Sequence, residues 1–194
     1  MDWIRAVEIF AMLTGVAYVI LEILQKNAMW VVGIFTGLAC ACSFAVQHIW
    51  ASMALNIYYV VMSVVGLVQW RRDAAAVAPD AVHLHVLSRR TALWSAGLFV
   101  LLSLGLIWLL RWLGDGAPVL DAMASVLSVI ATWWLAKSYI QQWLLWIVAN
   151  LMTTALCLST GQWMMSLLYL AYTASAVYGY IHWKRRGIVV NLPL

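Results

Sequence analysis

Seven long apolar segments, separated by short polar connections, run along the chain at roughly 6–24, 28–46, 51–70, 92–112, 119–136, 142–158 and 163–183. Each approaches the ~20 residues that an α-helix needs to cross the hydrocarbon layer of a bilayer. The pattern predicts an all-α polytopic membrane protein with seven transmembrane helices. Only residues 71–91, RRDAAAVAPDAVHLHVLSRRT, form a long hydrophilic connection. It separates three spans from an isolated fourth and a further three.

Composition agrees. The 194 residues are 66% hydrophobic and 9% charged, with a mean hydropathy of +0.93. A soluble domain of this length needs far more surface charge. The first segment is too long for the apolar part of a signal peptide and lacks a cleavage site, so it reads as a retained helix.

Lys and Arg set the expected orientation, because they collect on the cytoplasmic side. One face holds Arg5 and Arg111; the other holds Lys26, Arg71, Arg72, Arg89, Arg90, Lys137, Lys184, Arg185 and Arg186. The imbalance places the N-terminus outside and the C-terminus in the cytoplasm of a bacterial inner membrane. It also accounts for the net charge of +4, so no nucleic-acid partner is expected. Cys40, Cys42 and Cys157 lie within spans as small packing residues, without metal or redox spacing.

The outer triplets look duplicated. WASMALNIYYVVMSVVGLVQWRR (50–72) and WMMSLLYLAYTASAVYGYIHWKR (163–185) align Trp50, Gly66 and Trp70 with Trp163, Gly179 and Trp183 at an offset of 113, and Tyr59 with Tyr172. Trp30 matches Trp146 at an offset of 116. Equivalent helices lie four spans apart, so both triplets cross the membrane in one direction. The expected layout is 3+1+3: two parallel three-helix bundles joined by a linker helix, the parallel symmetry of the SWEET sugar transporters. Its segments are 1–72, a loop and linker helix over 73–118, and 119–194 with a basic tail. A pathway along the pseudo-two-fold axis, with a midplane site between the triplets, is the matching expectation.

No Asp, Glu, Lys or Arg sits at the centre of a span, which argues against a buried carboxylate proton relay. Glu8, Glu22 and Asp121 lie near span ends, where they are expected to reach water. The uncharged polar residues carry more information. Asn56, Tyr59, Ser63, Gly66 and Trp70 follow one helical stripe; Tyr169, Tyr172, Ala176, Gly179 and Trp183 repeat it. In span six Trp143, Trp146 and Asn150 share a face. They suit a pocket for a flat ligand that also needs hydrogen bonds, or else two interfacial tryptophans and an interhelical polar contact. Asn56 and Asn150 should point away from lipid. Gly66 and Gly179 read as close-packing positions, and Trp70 and Trp183, each followed by a basic residue, as an interfacial belt.

Enzyme readings find little support. There is no GxSxG, HExxH or Walker A pattern. His83 and His85 form an HxH in the long connection that does not close a zinc site and reads as solvated loop. Lys184 lies beyond the last helix, where a retinal Schiff base would not form. No cofactor or metal is expected. A non-transporting membrane scaffold is the competing class.

WLLWIVANLM, with SVIATWWLAKSYIQQ upstream, resembles the sixth-helix WxxW region of the PnuC family of bacterial vitamin transporters. IWASMALNIYYVVMSVVGLVQW and GQWMMSLLYLAYTASAVYGYIHW resemble that family's third and last core helices. The resemblance implies uptake of nicotinamide riboside by facilitated diffusion, with a cytoplasmic kinase trapping the product. Related subfamilies handle thiamine or riboflavin. It puts the WxxW motif on Trp143 and Trp146, followed by Asn150. The expected substrate contacts are then Trp143, Trp146, Asn150, Asn56, Tyr59, Tyr169 and Tyr172. The partners are a small vitamin substrate and the lipid bilayer, with homo-oligomerisation left open.

Overall fold

The computed structural model describes residues 2–48, 50–77, 81–114 and 116–190, with side chains for those beyond residue 12 other than 50 and 51. The expectations for Glu8 and Trp50 fall outside those described side chains. Seven helices form: α1 (Asp2–Ile23), α2 (Ala28–Val46), α3 (Trp50–Ala74), α4 (Arg89–Trp112), α5 (Pro118–Ala136), α6 (Gln142–Ser159) and α7 (Trp163–Arg186). They coincide with the seven apolar segments. Among the described residues α2, α4, α5, α6 and α3 from Ser52 onward are long and apolar enough to cross a membrane. α7 has the length, but Tyr169, Tyr172, Thr173, Ser175 and a basic end dilute its apolar character.

Several hydroxyls inside the helices are satisfied locally, as lipid demands. Ser128, Thr132, Thr153 and Thr173 each donate to the carbonyl four residues back, at 2.8–2.9 Å.

The chain divides into two compact units: Met1–Leu84 with Ala136–Ser138 and Arg186–Leu194, and His85–Leu135 with Tyr139–Arg185. In the first, α2 lies against α1 and α3 through glycines. A Cβ on Gly33 would stand 2.8 Å from Ser63 Oγ and 3.1 Å from the Tyr18 ring; one on Gly37 would stand 2.7 Å from Val60. Thr36 Oγ1 donates to Thr14 Oγ1 at 2.9 Å. In the second, Val126, Ile130, Trp134 and Tyr139 form a core that Phe99 and Leu106 of α4 help to cover. Trp134 Nε1 donates to Ser95 Oγ at 3.1 Å, tying α5 to α4.

The duplication extends to the backbone at the single offset of 113. Left-handed residues Gln25 (φ 49°) and His48 (φ 58°) recur as Ser138 (φ 54°) and Gly161 (φ 74°). The turn bond Lys26 N→Leu21 O (2.9 Å) recurs as Tyr139 N→Trp134 O (3.0 Å). Trp30 N→Asn27 O recurs as Trp143 N→Ile140 O, both 3.2 Å.

This register corrects two expectations. Trp30 corresponds to Trp143, at the common offset, and not to Trp146. The Trp30 indole stands on Gly66 and meets Trp70 edge-on, with centroids 5.0 Å apart and planes at 75°. The Trp143 indole stands on Gly179 and meets Trp183 at 5.4 Å and 88°. Trp70 and Trp183 are therefore wholly buried, not an interfacial belt. A glycine one helical turn earlier leaves the notch that each facing indole fills.

The 71–91 connection also differs from expectation. His83 and His85 are buried, not solvated. The strand β1 (Val82–Leu84) pairs in parallel with β2 (Gly187–Val189), and Val190 N donates to Leu84 O at 2.8 Å. Gln25 clasps the His83 backbone, with Nε2→O at 2.9 Å and N→Oε1 at 2.7 Å. His83 Nδ1 lies 3.0 Å from Ser138 Oγ and 3.9 Å from the buried Asp73 carboxylate, which accepts from Gln69 Nε2. These partners offset the cost of burying the imidazole and carboxylate. Glu22, expected to reach water, is buried as well; Asp121 is half-buried and accepts from Ser125 Oγ at 3.3 Å.

Candidate functional site

The α5–α6 connection sets the register of α6. Ser138 turns the chain through its left-handed conformation, and the first helical turn closes by short-range bonds from Gln142 and Trp143 to Tyr139 and Ile140. Trp143, Trp146 and Asn150 then occupy one face, as their spacing requires.

The structure separates the roles of the two indoles. Trp143 is 2% exposed and fills the Gly179 notch against Trp183. Its counterpart Trp30 does the same in the other unit, so the duplicated position serves helix packing. Trp146 is half-buried, and its Nε1 is sealed from solvent without a hydrogen-bond partner among the described residues. Asn150 is buried; Thr154 Oγ1 donates to its main-chain carbonyl at 2.8 Å.

The copies differ where Trp146 and Asn150 stand. Their counterparts at the common offset are Gly33 and Gly37, which close α2 onto its neighbours. In the second copy that face carries an indole and an amide instead. Packing explains what the two copies share; it does not explain this exchange of two small residues for two groups able to stack and hydrogen-bond.

The remaining candidates are distributed between the units. Tyr169 and Tyr172 of α7 are half-buried, with rings 6.0 Å apart at 78°. Asn56 and Tyr59 of α3 belong to the first unit. Asn56 Nδ2 donates to the Ser52 carbonyl of its own helix at 2.9 Å, leaving Oδ1 as its contribution. Tyr59 is half-buried and contacts Tyr58, with centroids 5.6 Å apart. Gln142, one turn before Trp146, escaped sequence reasoning although it is completely buried and both its amide atoms lack a partner among the described residues. Aligning the copies at one offset would have drawn attention to it, because its counterpart is Met29.

An internally duplicated set of membrane-length helices, in which α6 carries an indole and an amide where α2 has two glycines, has the build of a small-molecule membrane carrier. A family model for nicotinamide mononucleotide transporters matches residues 5–185, and the chain belongs to that family. It is 29% identical to a nicotinamide riboside transporter PnuC of Neisseria mucosa, over 95% of this chain and 73% of that one. It is 23% identical to the Escherichia coli transporter of the same name, over 94% and 85% of the two chains. A crystal structure of a vitamin B3 transporter PnuC superposes with a TM-score of 0.69 at 27% identity, covering 95% of this chain and 81% of that one.

Proposed function

We propose that the protein is an inner-membrane uniporter that takes up nicotinamide riboside. The observation that carries the reading is the replacement of Gly33 and Gly37 by Trp146 and Asn150 in the second copy. The pyridinium ring of the riboside is a flat cation, which an indole face attracts by stacking and cation–π interaction at ~0.5–2 kcal/mol. Asn150 offers hydrogen bonds to ribose or carboxamide without a fixed charge that would slow release. Tyr169 and Tyr172, in the same unit as α6, add aromatic and hydroxyl groups, and Trp143 holds α6 against α7 behind Trp146.

The relatives are named for the riboside, whereas the family description names the mononucleotide. A phosphate dianion needs cationic partners in a low-dielectric site. Lys and Arg are confined to the span ends and connections, which favours the uncharged ribose. Thiamine also carries a cationic ring and is the second candidate. The internal repeat favours the 3+1+3 layout over segments 1–72, 73–118 and 119–194, and the basic bias favours an external N-terminus. Phosphorylation by a cytoplasmic kinase would make the downhill flow unidirectional.

Reconstitution into proteoliposomes tests the reading. Saturable entry of labelled nicotinamide riboside without ATP or an ion gradient is expected, with little competition from the mononucleotide. Preferred entry of thiamine or riboflavin would overturn the substrate assignment, and no entry of any vitamin would favour a scaffold.

A further inference from the structure

We infer that Gln142 reads the carboxamide of the substrate and thereby selects the carboxamide nucleoside over its carboxylate counterpart. The inference rests on the proposed riboside site and extends it by one helical turn. Gln142, Trp146 and Asn150 recur every fourth residue and lie along one side of α6, spanning about 12 Å of helix axis. Gln142 is 0% exposed, and among the described residues neither Oε1 nor Nε2 has a hydrogen-bond partner. Among the described residues the Nε1 atoms of Trp146, Trp143 and Trp30 share that condition, so an indole nitrogen alone does not mark a ligand, whereas Gln142 leaves both atoms of its amide unmet. Buried amides without partners are rare because nothing repays their lost hydration.

The duplication supplies an internal control. The position equivalent to Gln142 is Met29, also 0% exposed, and both residues sit at the start of their helix with the same backbone bond, from Met29 N to Lys26 O and from Gln142 N to Tyr139 O. Met has nearly the length and volume of Gln. Packing at this position is therefore met by an apolar side chain, and the second copy has acquired an amide head that the fold does not use. Its gain accompanies the other two changes on that side, Gly33 to Trp146 and Gly37 to Asn150.

A Gln head presents one acceptor and a two-proton donor, as does a primary carboxamide. The two pair reciprocally, each N–H to the other's oxygen. A carboxylate offers only acceptors, so it would satisfy Gln142 Nε2 and set its own oxygen against Oε1. A carrier site is closed to solvent in part of its cycle, which accommodates a sealed polar head between encounters with substrate.

The test compares wild type with Gln142→Met in purified full-length protein. Three ligands are titrated: nicotinamide riboside, the same riboside bearing a carboxylate, and the pyridinium riboside with neither group. Wild type should prefer the carboxamide. Q142M should bind it roughly tenfold more weakly, bind the unsubstituted riboside within twofold of wild type, and lose the preference over the carboxylate. Unchanged thermal stability, with retained binding of the unsubstituted riboside, shows that the variant folds. A wild-type protein that binds nicotinamide riboside, paired with a Q142M that keeps the same preference or weakens all three ligands equally, overturns the inference alone. A wild type that binds none of the three overturns the functional reading and this inference together.

Discussion

Substituting Gly179 by Ala probes the interlock that the two copies share. A Cβ at this position would lie 2.5, 2.6 and 2.7 Å from three carbons of the Trp143 ring. Carbon atoms in contact normally keep about 3.5–4.0 Å, so the indole must retreat by about 1 Å. Behind it stands Trp183, itself completely buried, and a close-packed interior resists such shifts. Overpacking of this kind costs about 1–3 kcal/mol. The better helix propensity of Ala returns up to about 1 kcal/mol, leaving a net loss of roughly 1–2 kcal/mol. Gly105 of α4 is the control, because a Cβ there would meet nothing within 4 Å; its Ala variant should be neutral or slightly stabilised. Thermal unfolding in detergent, followed by intrinsic fluorescence, ranks the two. Trimming the indole in Trp143→Phe/Gly179→Ala should recover part of the loss, giving a favourable coupling above about 0.5 kcal/mol. Should Gly179→Ala unfold at the same temperature as Gly105→Ala, the interlock does not hold α6 to α7.

Other outcomes follow from the same geometry. Trp143→Ala empties a buried notch and should cost about 3–5 kcal/mol of stability; a variant as stable as wild type would remove its packing role. Gln25→Ala strips both partners from the His83 backbone, at about 2 kcal/mol of local stability, so protease cleavage in the 71–91 connection should accelerate roughly 30-fold. Equal cleavage rates would mean that the clasp does not secure the connection. Burial pushes the Tyr139 phenol above its ordinary pKa, and a hydrogen bond with Thr91 partly opposes the shift. A folded pKa above the unfolded value of about 10 stabilises the protein fully below that pH and loses the contribution as pH rises through the folded value. Tyr139→Phe should therefore remove a component of alkaline destabilisation, visible above about pH 10 in an unfolding series.

Segment lengths near the bilayer thickness and a 3.6-residue period are local properties of a chain, which is why all seven helices were legible before the structure. The repeat and its offset of 113 were legible too, but the partner of Trp30 was not. In a chain with 13 Trp, Trp30 finds chance partners, and only the shared turns and the indole-on-glycine contacts fix Trp143 as its counterpart. The buried state of Trp70, Trp183, His83 and Glu22 depends on contacts across elements distant in sequence. A basic neighbour or an HxH spacing therefore suggested exposure wrongly. For the candidate site, spacing was enough to put Trp143, Trp146 and Asn150 on one face, whereas the packing of Trp143 into the Gly179 notch depends on α7 and could not be read from α6 alone. Gln142 went unnoticed because burial without a partner has no signature in the sequence.

The α6 face bearing Trp146 and Asn150 is proposed to hold a flat cationic nucleoside without a fixed negative charge. Calorimetric titration of nicotinamide riboside into wild type and Trp146→Ala tests it most directly. Saturable binding to wild type is expected, weakened roughly 2- to 30-fold by the substitution, with little change in the unfolding temperature of the free protein. Equal affinity in the two proteins would contradict it.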